Sequence, residues 1–212
     1  MELPAYIAIE GNIGAGKTTF CRLFAKRYNR RLILEEFTDN PFLPLFYQDP
    51  ERYGFPVELF FMAERHKQLQ TELSRGDLFQ EGLVADYLFV KTRLFASNSL
   101  SDAEYRLFNR LYTAMDAGFP TPDITLYLHR PIEVLQHNIA ERGRSYETDI
   151  STDYLLSIQR AYFQYFRQLR RQSVVVCEIG DGDFTGDSGL FERLVDAAER
   201  PHPPGMSTVR FE

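Results

Sequence analysis

The chain has 212 residues, 44% of them hydrophobic and 25% charged, the make-up of one globular domain with room for a small lid. Its 24 basic and 30 acidic residues leave a net charge of −6, which argues against a nucleic-acid-binding face, and no apolar run approaches the ~18 residues of a membrane span. The two cysteines, Cys21 and Cys177, and the four histidines follow no metal-ligand spacing, so neither zinc chemistry nor a disulfide framework is expected.

Short apolar runs alternate with longer stretches of helical period, which predicts a parallel α/β sheet of about five strands with flanking helices. Tyr6–Ile9 reads as a buried strand, and Lys17–Asn29 as a helix with Phe20, Leu23, Phe24 and Arg27 at helical spacing. Leu32–Leu34 is a second strand. Pro56–Arg75 is a long helix, with proline tolerated in its first turn and Gly76 as its stop. Gly82–Ala85 is the third strand, followed by helices over Asp86–Ala96 and Asp102–Ala117. Ile124–Leu128 is a strand, and Pro131–Arg142 a helix with proline at its first position. Asp153–Arg171 is helical, Val174–Cys177 closes the sheet, and Leu190–Glu199 is the last helix. A domain over residues 1–200 follows, with a Pro-rich tail at 201–212 expected to be mobile.

The first strand and helix enclose Gly11-Asn12-Ile13-Gly14-Ala15-Gly16-Lys17-Thr18, with Thr19 next. This is the full G-x-x-x-x-G-K-[ST] pattern in its proper strand–loop–helix setting. Glycines let backbone N–H groups turn toward phosphate oxygens, and the helix N-terminus adds partial positive charge. Lys17 is placed to bridge the β- and γ-phosphates, and the Thr18 hydroxyl to meet Mg²⁺. A nucleoside triphosphate, ATP or GTP, is therefore expected.

Several later segments resemble the deoxyribonucleoside kinase family, bacterial deoxyadenosine and deoxyguanosine kinases included, from Ala5 to about Phe184. The second strand ends in Glu35-Glu36-Phe37, where the family carries its catalytic glutamate. The resemblance makes Glu35 the base that accepts the hydroxyl proton, with Glu36 as the alternative. The run Asn40–Tyr53 resembles the helix and turn beside the sugar, and Tyr47 matches a tyrosine on the deoxyribose 3′-hydroxyl. On the long helix, Glu58 stands where the family has a base-reading glutamine, and Arg65 is retained. The two are seven apart and share a face. An ionised carboxylate only accepts hydrogen bonds, whereas an amide also donates.

The third strand ends in Ala85-Asp86-Tyr87, where the resemblance implies an acid and then an arginine. Asp86 matches the acid, for Mg²⁺ or for a cation by the 5′-hydroxyl. Tyr87 takes the arginine's place, Lys91 lies one helical turn on, and Phe95-Ala96-Ser97-Asn98 favours this alignment over one through Glu81. Arg142-Gly143-Arg144-Ser145-Tyr146-Glu147 resembles the family's lid, at about 141–149. There Arg142 and Arg144 close over phosphates and Glu147 meets the 3′-hydroxyl. Glu178–Phe184, with Asp183 and Phe184, resembles the loop that cups adenine.

The resemblance implies Mg²⁺-dependent transfer from ATP to a deoxynucleoside 5′-hydroxyl, by a homodimer. A purine is favoured, guanine-type over adenine, because an ionised Glu58 suits the adjacent N–H donors of guanine, whereas adenine needs a protonated Glu58 or a different approach. The chain opens with no basic segment ahead of an apolar stretch, so a cytoplasmic protein without a membrane partner is expected. A thymidylate kinase-like monophosphate kinase shares the loop and lid, and a nucleotide sensor without enzymatic activity shares the loop; both stay open.

Overall fold

The computed structural model describes residues 3–35, 40–74, 82–116, 118–147, 150–186 and 188–211. Glu36, Phe37, Gly76 and Glu81 lie outside the described residues. Six strands form one parallel sheet: β1 (Tyr6–Gly11), β2 (Arg31–Ile33), β3 (Leu83–Ala85), β4 (Ile124–His129), β5 (Ser173–Glu178) and β6 (Gly205–Arg210), in the order β2-β3-β1-β4-β5-β6. Between them run α1 (Lys17–Arg27), α2 (Leu43–Gln48), α3 (Pro50–Ser74), α4 (Val90–Ser99), α5 (Asp102–Met115), α6 (Ile132–Arg142), α7 (Thr152–Gln168) and α8 (Ser188–Glu199).

The continuous apolar runs are explained by burial on both faces of the sheet. Along β5, Val175 and Cys177 join a core built with α1, α6 and α8, while Val174 and Val176 join one built with α4 and α7. A third core packs α3, α4 and α5 over the β2–β3 end, around Ile33, Met62, Leu69, Phe89 and Phe108. At ~1.5–3 kcal/mol for each large aliphatic side chain removed from water, these layers fix strand position and so the loops at the strand ends.

Two elements depart from the sequence reading. Residues 205–210 are not a mobile tail. They form the edge strand β6, in register with all of β5 from Ser173↔Gly205 to Glu178↔Arg210. The prolines at 201, 203 and 204 belong to the connection, and the Ser207-Thr208-Val209 run beyond them has β character. The sixth strand replaces the five-strand expectation. The long helix starts at Pro50 rather than Pro56 and runs through the second proline. There Gly54 lies against α4, where a Cβ would stand 2.7 Å from the Ser99 carbonyl oxygen. The two helices therefore pack backbone to backbone beside the site.

β1 lies between β3 and β4, so the chain leaves its C-terminal end at the switch point of the sheet. Ligands of open parallel sheets bind outside the strand C-termini at that point.

Candidate active site

A cleft of about 1200 Å³ opens there, lined by the phosphate loop, the ends of β2 and β3, α2, α3, α4 and the segment after α6. Its phosphate end is built from backbone. Gly14 (φ 79°) and Gly16 (φ 89°) adopt left-handed conformations. A Cβ on Gly14 would lie 2.6 Å from the Leu135 carbonyl oxygen, and one on Gly16 would lie 2.9 Å from the Phe184 ring. Gly11 and Asn12 anchor the loop behind the cleft. Asn12 Nδ2 donates to the Leu155 carbonyl (2.8 Å) and Asn12 Oδ1 accepts from the Ile13 N–H (2.8 Å). Ile13, Ala15 and Thr19 line the cleft with the rest of the loop.

Lys17 Nζ donates to the carbonyls of Gly11 (2.9 Å) and Asn12 (2.8 Å). Burial and then the charge of Lys91 pull its pKa down to about 8. Thr18 Oγ1 donates to Asp86 Oδ2 at 2.6 Å. The other Asp86 oxygen accepts the Glu35 N–H at 2.7 Å. One aspartate thus ties the phosphate loop to the end of β2.

The other end of the cleft is built from buried charges. Arg65 Nε donates to Glu35 Oε1 at 2.7 Å, and Arg65 Nη1 to Thr92 Oγ1 at 2.9 Å. Lys91 forms an ion pair with the second Glu35 oxygen. Burial alone would raise the Glu35 pKa, but Arg65 and Lys91 outweigh it and hold the carboxylate far below its usual range. Glu35 is ionised at any working pH. Lys91, one turn past Tyr87, is thus the second buried cation on Glu35.

Glu58 is 3% exposed. Its Oε1 accepts from Ser99 Oγ at 3.1 Å, and Oε2 has no hydrogen-bond partner among the described residues. Arg65 is turned to Glu35 and Thr92, so Glu58 and Arg65 share a helix face without a direct bond. The Arg65 guanidinium lies 4.8 Å from the Phe61 ring centroid, and Lys91 Nζ 5.5 Å from that of Phe95; both rings wall the cleft. Above them Tyr47 stacks on Tyr146 at 6.2 Å and 17°. Glu147, 4% exposed, pairs with Arg142 and with Arg144 Nη1 (3.1 Å). Tyr47, Glu147 and both arginines therefore converge on one wall.

Tyr87 departs from the sequence reading. It is fully buried in the core below the cleft, and its phenol donates to Gln68 Oε1 at 2.5 Å. Gln68 in turn donates to the Leu34 carbonyl at 2.8 Å. Tyr87 supports the segment after β2 that carries Glu35 and does not line the cleft. Asp183 is exposed, and its carboxylate is used by the Thr185 N–H (2.8 Å) and hydroxyl (2.6 Å). Phe184 lies edge-on to Phe20 at 5.7 Å, against Gly16.

Sequence reasoning missed two positioning side chains. Arg130 donates to the carbonyls of Ala15 (3.2 Å), Gly180 (3.0 Å) and Gly182 (2.8 Å), joining the phosphate loop to the loop after β5. Its signal was a charged residue between an apolar strand and a helix-starting proline. Glu10, fully buried on β1, accepts from the Leu88 N–H and the Tyr162 hydroxyl, both at 2.7 Å. Nothing in its local sequence separates it from an exposed strand residue.

The family model for deoxynucleoside kinase matches residues 7–201. Deoxyguanosine kinase of Bacillus subtilis is 32% identical over 198 residues, 92% of this chain and 96% of that one. Deoxyadenosine/deoxycytidine kinase of the same organism is 31% identical over 90% of this chain and 89% of its own. A structure of deoxyadenosine kinase from M. mycoides with dATP bound shares the fold, with a TM-score of 0.74 at 22% identity over 91% of this chain and 97% of that one. With the phosphate loop and the acidic acceptor end joined in one cleft, and a match that runs almost end to end, the chain belongs to the deoxynucleoside kinase family.

Proposed function

We propose that the chain transfers the γ-phosphate of ATP to the 5′-hydroxyl of a purine deoxynucleoside. One observation carries the reading: the Glu35 carboxylate is clamped between Arg65 and Lys91 and shares Asp86 with the phosphate loop. A hydroxyl seated on Glu35 would face phosphate held by the loop. Because its two cations keep Glu35 strongly ionised, it is a weak base and a good orienting acceptor. That suits a loose phosphoryl-transfer transition state, in which the proton leaves late. The bond from the 5′-oxygen to phosphorus forms, the bond to the bridging oxygen of ADP breaks, and the hydroxyl proton passes to Glu35.

Lys17 and the loop N–H groups hold the phosphates. Arg142 and Arg144, which pair with Glu147 and line the cleft, neutralise charge on the transferring phosphate. Tyr47 and Glu147 take the 3′-hydroxyl. Thr18 Oγ1 and the Asp86 carboxylate, 2.6 Å apart at the loop, are hard oxygen donors that fit Mg²⁺. These two residues would hold the ion beside the loop, where its charge would offset that of the phosphates. The loop tied by Arg130, with Phe184, holds the adenine of ATP. The names of the Bacillus relatives, one a deoxyguanosine and one a deoxyadenosine/deoxycytidine kinase, support a deoxynucleoside acceptor. The same reading takes the working unit as a homodimer, which sedimentation tests.

A coupled ATP-consumption assay over deoxynucleosides and their monophosphates tests the reading. Turnover with the nucleosides alone is expected. Turnover only with monophosphates would favour a thymidylate kinase-like enzyme, and none with either would favour a nucleotide sensor.

A further inference from the structure

Glu58 stands out among the buried charges because half of its hydrogen-bonding capacity is unused. Oε2 is buried, has no partner among the described residues and belongs to a carboxyl that lines the acceptor end of the cleft. Arg65, the nearest cation on its own helix, is committed to Glu35 and Thr92. A buried oxygen kept without a partner costs free energy unless a ligand supplies the bond.

We propose that Glu58 reads the base through a proton: neutral, it pairs with an adenine edge, and ionised, with a guanine edge, so pH selects the preferred deoxynucleoside. The inference rests on the acceptor reading above. Its chemistry is that of a single contact. Adenine N1 is an acceptor beside the N6 amino group, and guanine N1 is a donor beside the 2-amino group. Glu58 Oε2 facing N1 needs one proton between the two atoms in either case. For adenine that proton must sit on Glu58; guanine brings its own. The second carboxyl oxygen accepts the exocyclic amino N–H in each case, with the base turned over between the two, because that group sits at C6 in adenine and at C2 in guanine.

The surroundings accept both states of the carboxyl. Ser99 Oγ lies 3.1 Å from Glu58 Oε1 and 3.1 Å from the Phe95 carbonyl oxygen. Its single proton can turn to an ionised Glu58 or to Phe95. The groups facing Glu58 are Arg65 on α3, Glu35 at the end of β2, Lys91 and Ser99 on α4, and Tyr154 on α7. Burial raises the pKa most; Arg65, Ser99 and Lys91 lower it, and Glu35 raises it, which leaves the carboxyl at about 7. Both forms are then populated near neutral pH.

The test is competition between deoxyguanosine and deoxyadenosine at pH 6 and pH 8. The ratio of their kcat/KM values cancels every titration common to both, those of Lys17 and Glu35 included. Each substrate gains or loses up to about tenfold as the proton requirement is met or lost, so the ratio rises toward deoxyguanosine by up to ~100-fold. Calorimetry in two buffers of different ionisation enthalpy should show proton uptake with deoxyadenosine at pH 7.5 and release with deoxyguanosine at pH 6.5. Glu58→Gln, a fixed donor and acceptor, should flatten the ratio. If that variant does not fold, the wild-type ratio and proton counts decide alone. A pH-independent ratio, with both nucleosides phosphorylated, overturns the inference and leaves the kinase reading standing. Phosphorylation of only one of the two at every pH also overturns the inference, whereas failure of both to be phosphorylated at any pH overturns the kinase reading instead.

Discussion

The two ends of the cleft solve their tasks with different material. The phosphate end is made of backbone: left-handed glycines, loop N–H groups and the start of α1, braced by Arg130 and Asn12. The acceptor end is made of side-chain charges taken out of water, with Glu35 and Glu58 on one side and Arg65 and Lys91 on the other. Any polypeptide can offer backbone N–H groups, but only if its glycines fall at fixed positions, which is why a short motif announces this end. A charge cluster assembled from β2, α3 and α4 has no such local signature.

The contrast breaks first at Lys17. Lys17→Ala should lower kcat by ~10²–10³-fold or more and leave the fold intact, because this half-buried cation bonds only to loop carbonyls and belongs to no core cluster. Turnover with circular dichroism measures both. Near-normal kcat in a folded variant would remove the phosphate end from the mechanism.

Glu35→Gln should slow kcat by ~10²-fold, with Glu36→Gln doing much less. Unlike Lys17→Ala it should also destabilise the protein, by ~3 kcal/mol in urea unfolding, since it leaves two buried cations facing one neutral amide. Acid sharpens the same point. The folded pKa of Glu35 is depressed, so its stabilisation is present above its unfolded value and fades as pH falls below about 4.5. The Glu35→Gln variant should lose less stability than wild type on acidification.

Glu58 has the opposite sign. Its folded pKa of about 7 lies above its unfolded value, so the folded state binds the extra proton and loses stability as pH rises through 7. Glu58→Gln should therefore raise Tm at pH 8, by ~2–4 °C for each kcal/mol recovered in a chain of this size, and change it little at pH 5. An equal shift at both values would show that Glu58 does not titrate in this range.

Tyr87→Phe should have the smallest effect, about 1 kcal/mol of stability and kcat within twofold. A large loss of kcat would return Tyr87 to the site.

The sheet, the phosphate loop and the direction of most helices were legible because each rests on a local pattern. The edge strand was not. Prolines at 201, 203 and 204 read as disorder, although β-branched residues follow them. Glu35, Arg65 and Asp86 could be named from resemblance. That Lys91 takes up the second oxygen of Glu35, or that Tyr87 turns inward to Gln68, depends on how α4 leaves β3, which no spacing encodes.

Both ends matter only if phosphate crosses from one to the other. The direct measurement supplies ATP labelled in its γ-phosphate, Mg²⁺ and deoxyguanosine or deoxyadenosine, and follows the label. The account predicts label in the deoxynucleoside 5′-monophosphate, with none transferred by Lys17→Ala. Label found only in inorganic phosphate, or in a diphosphate made from an added monophosphate, would contradict it.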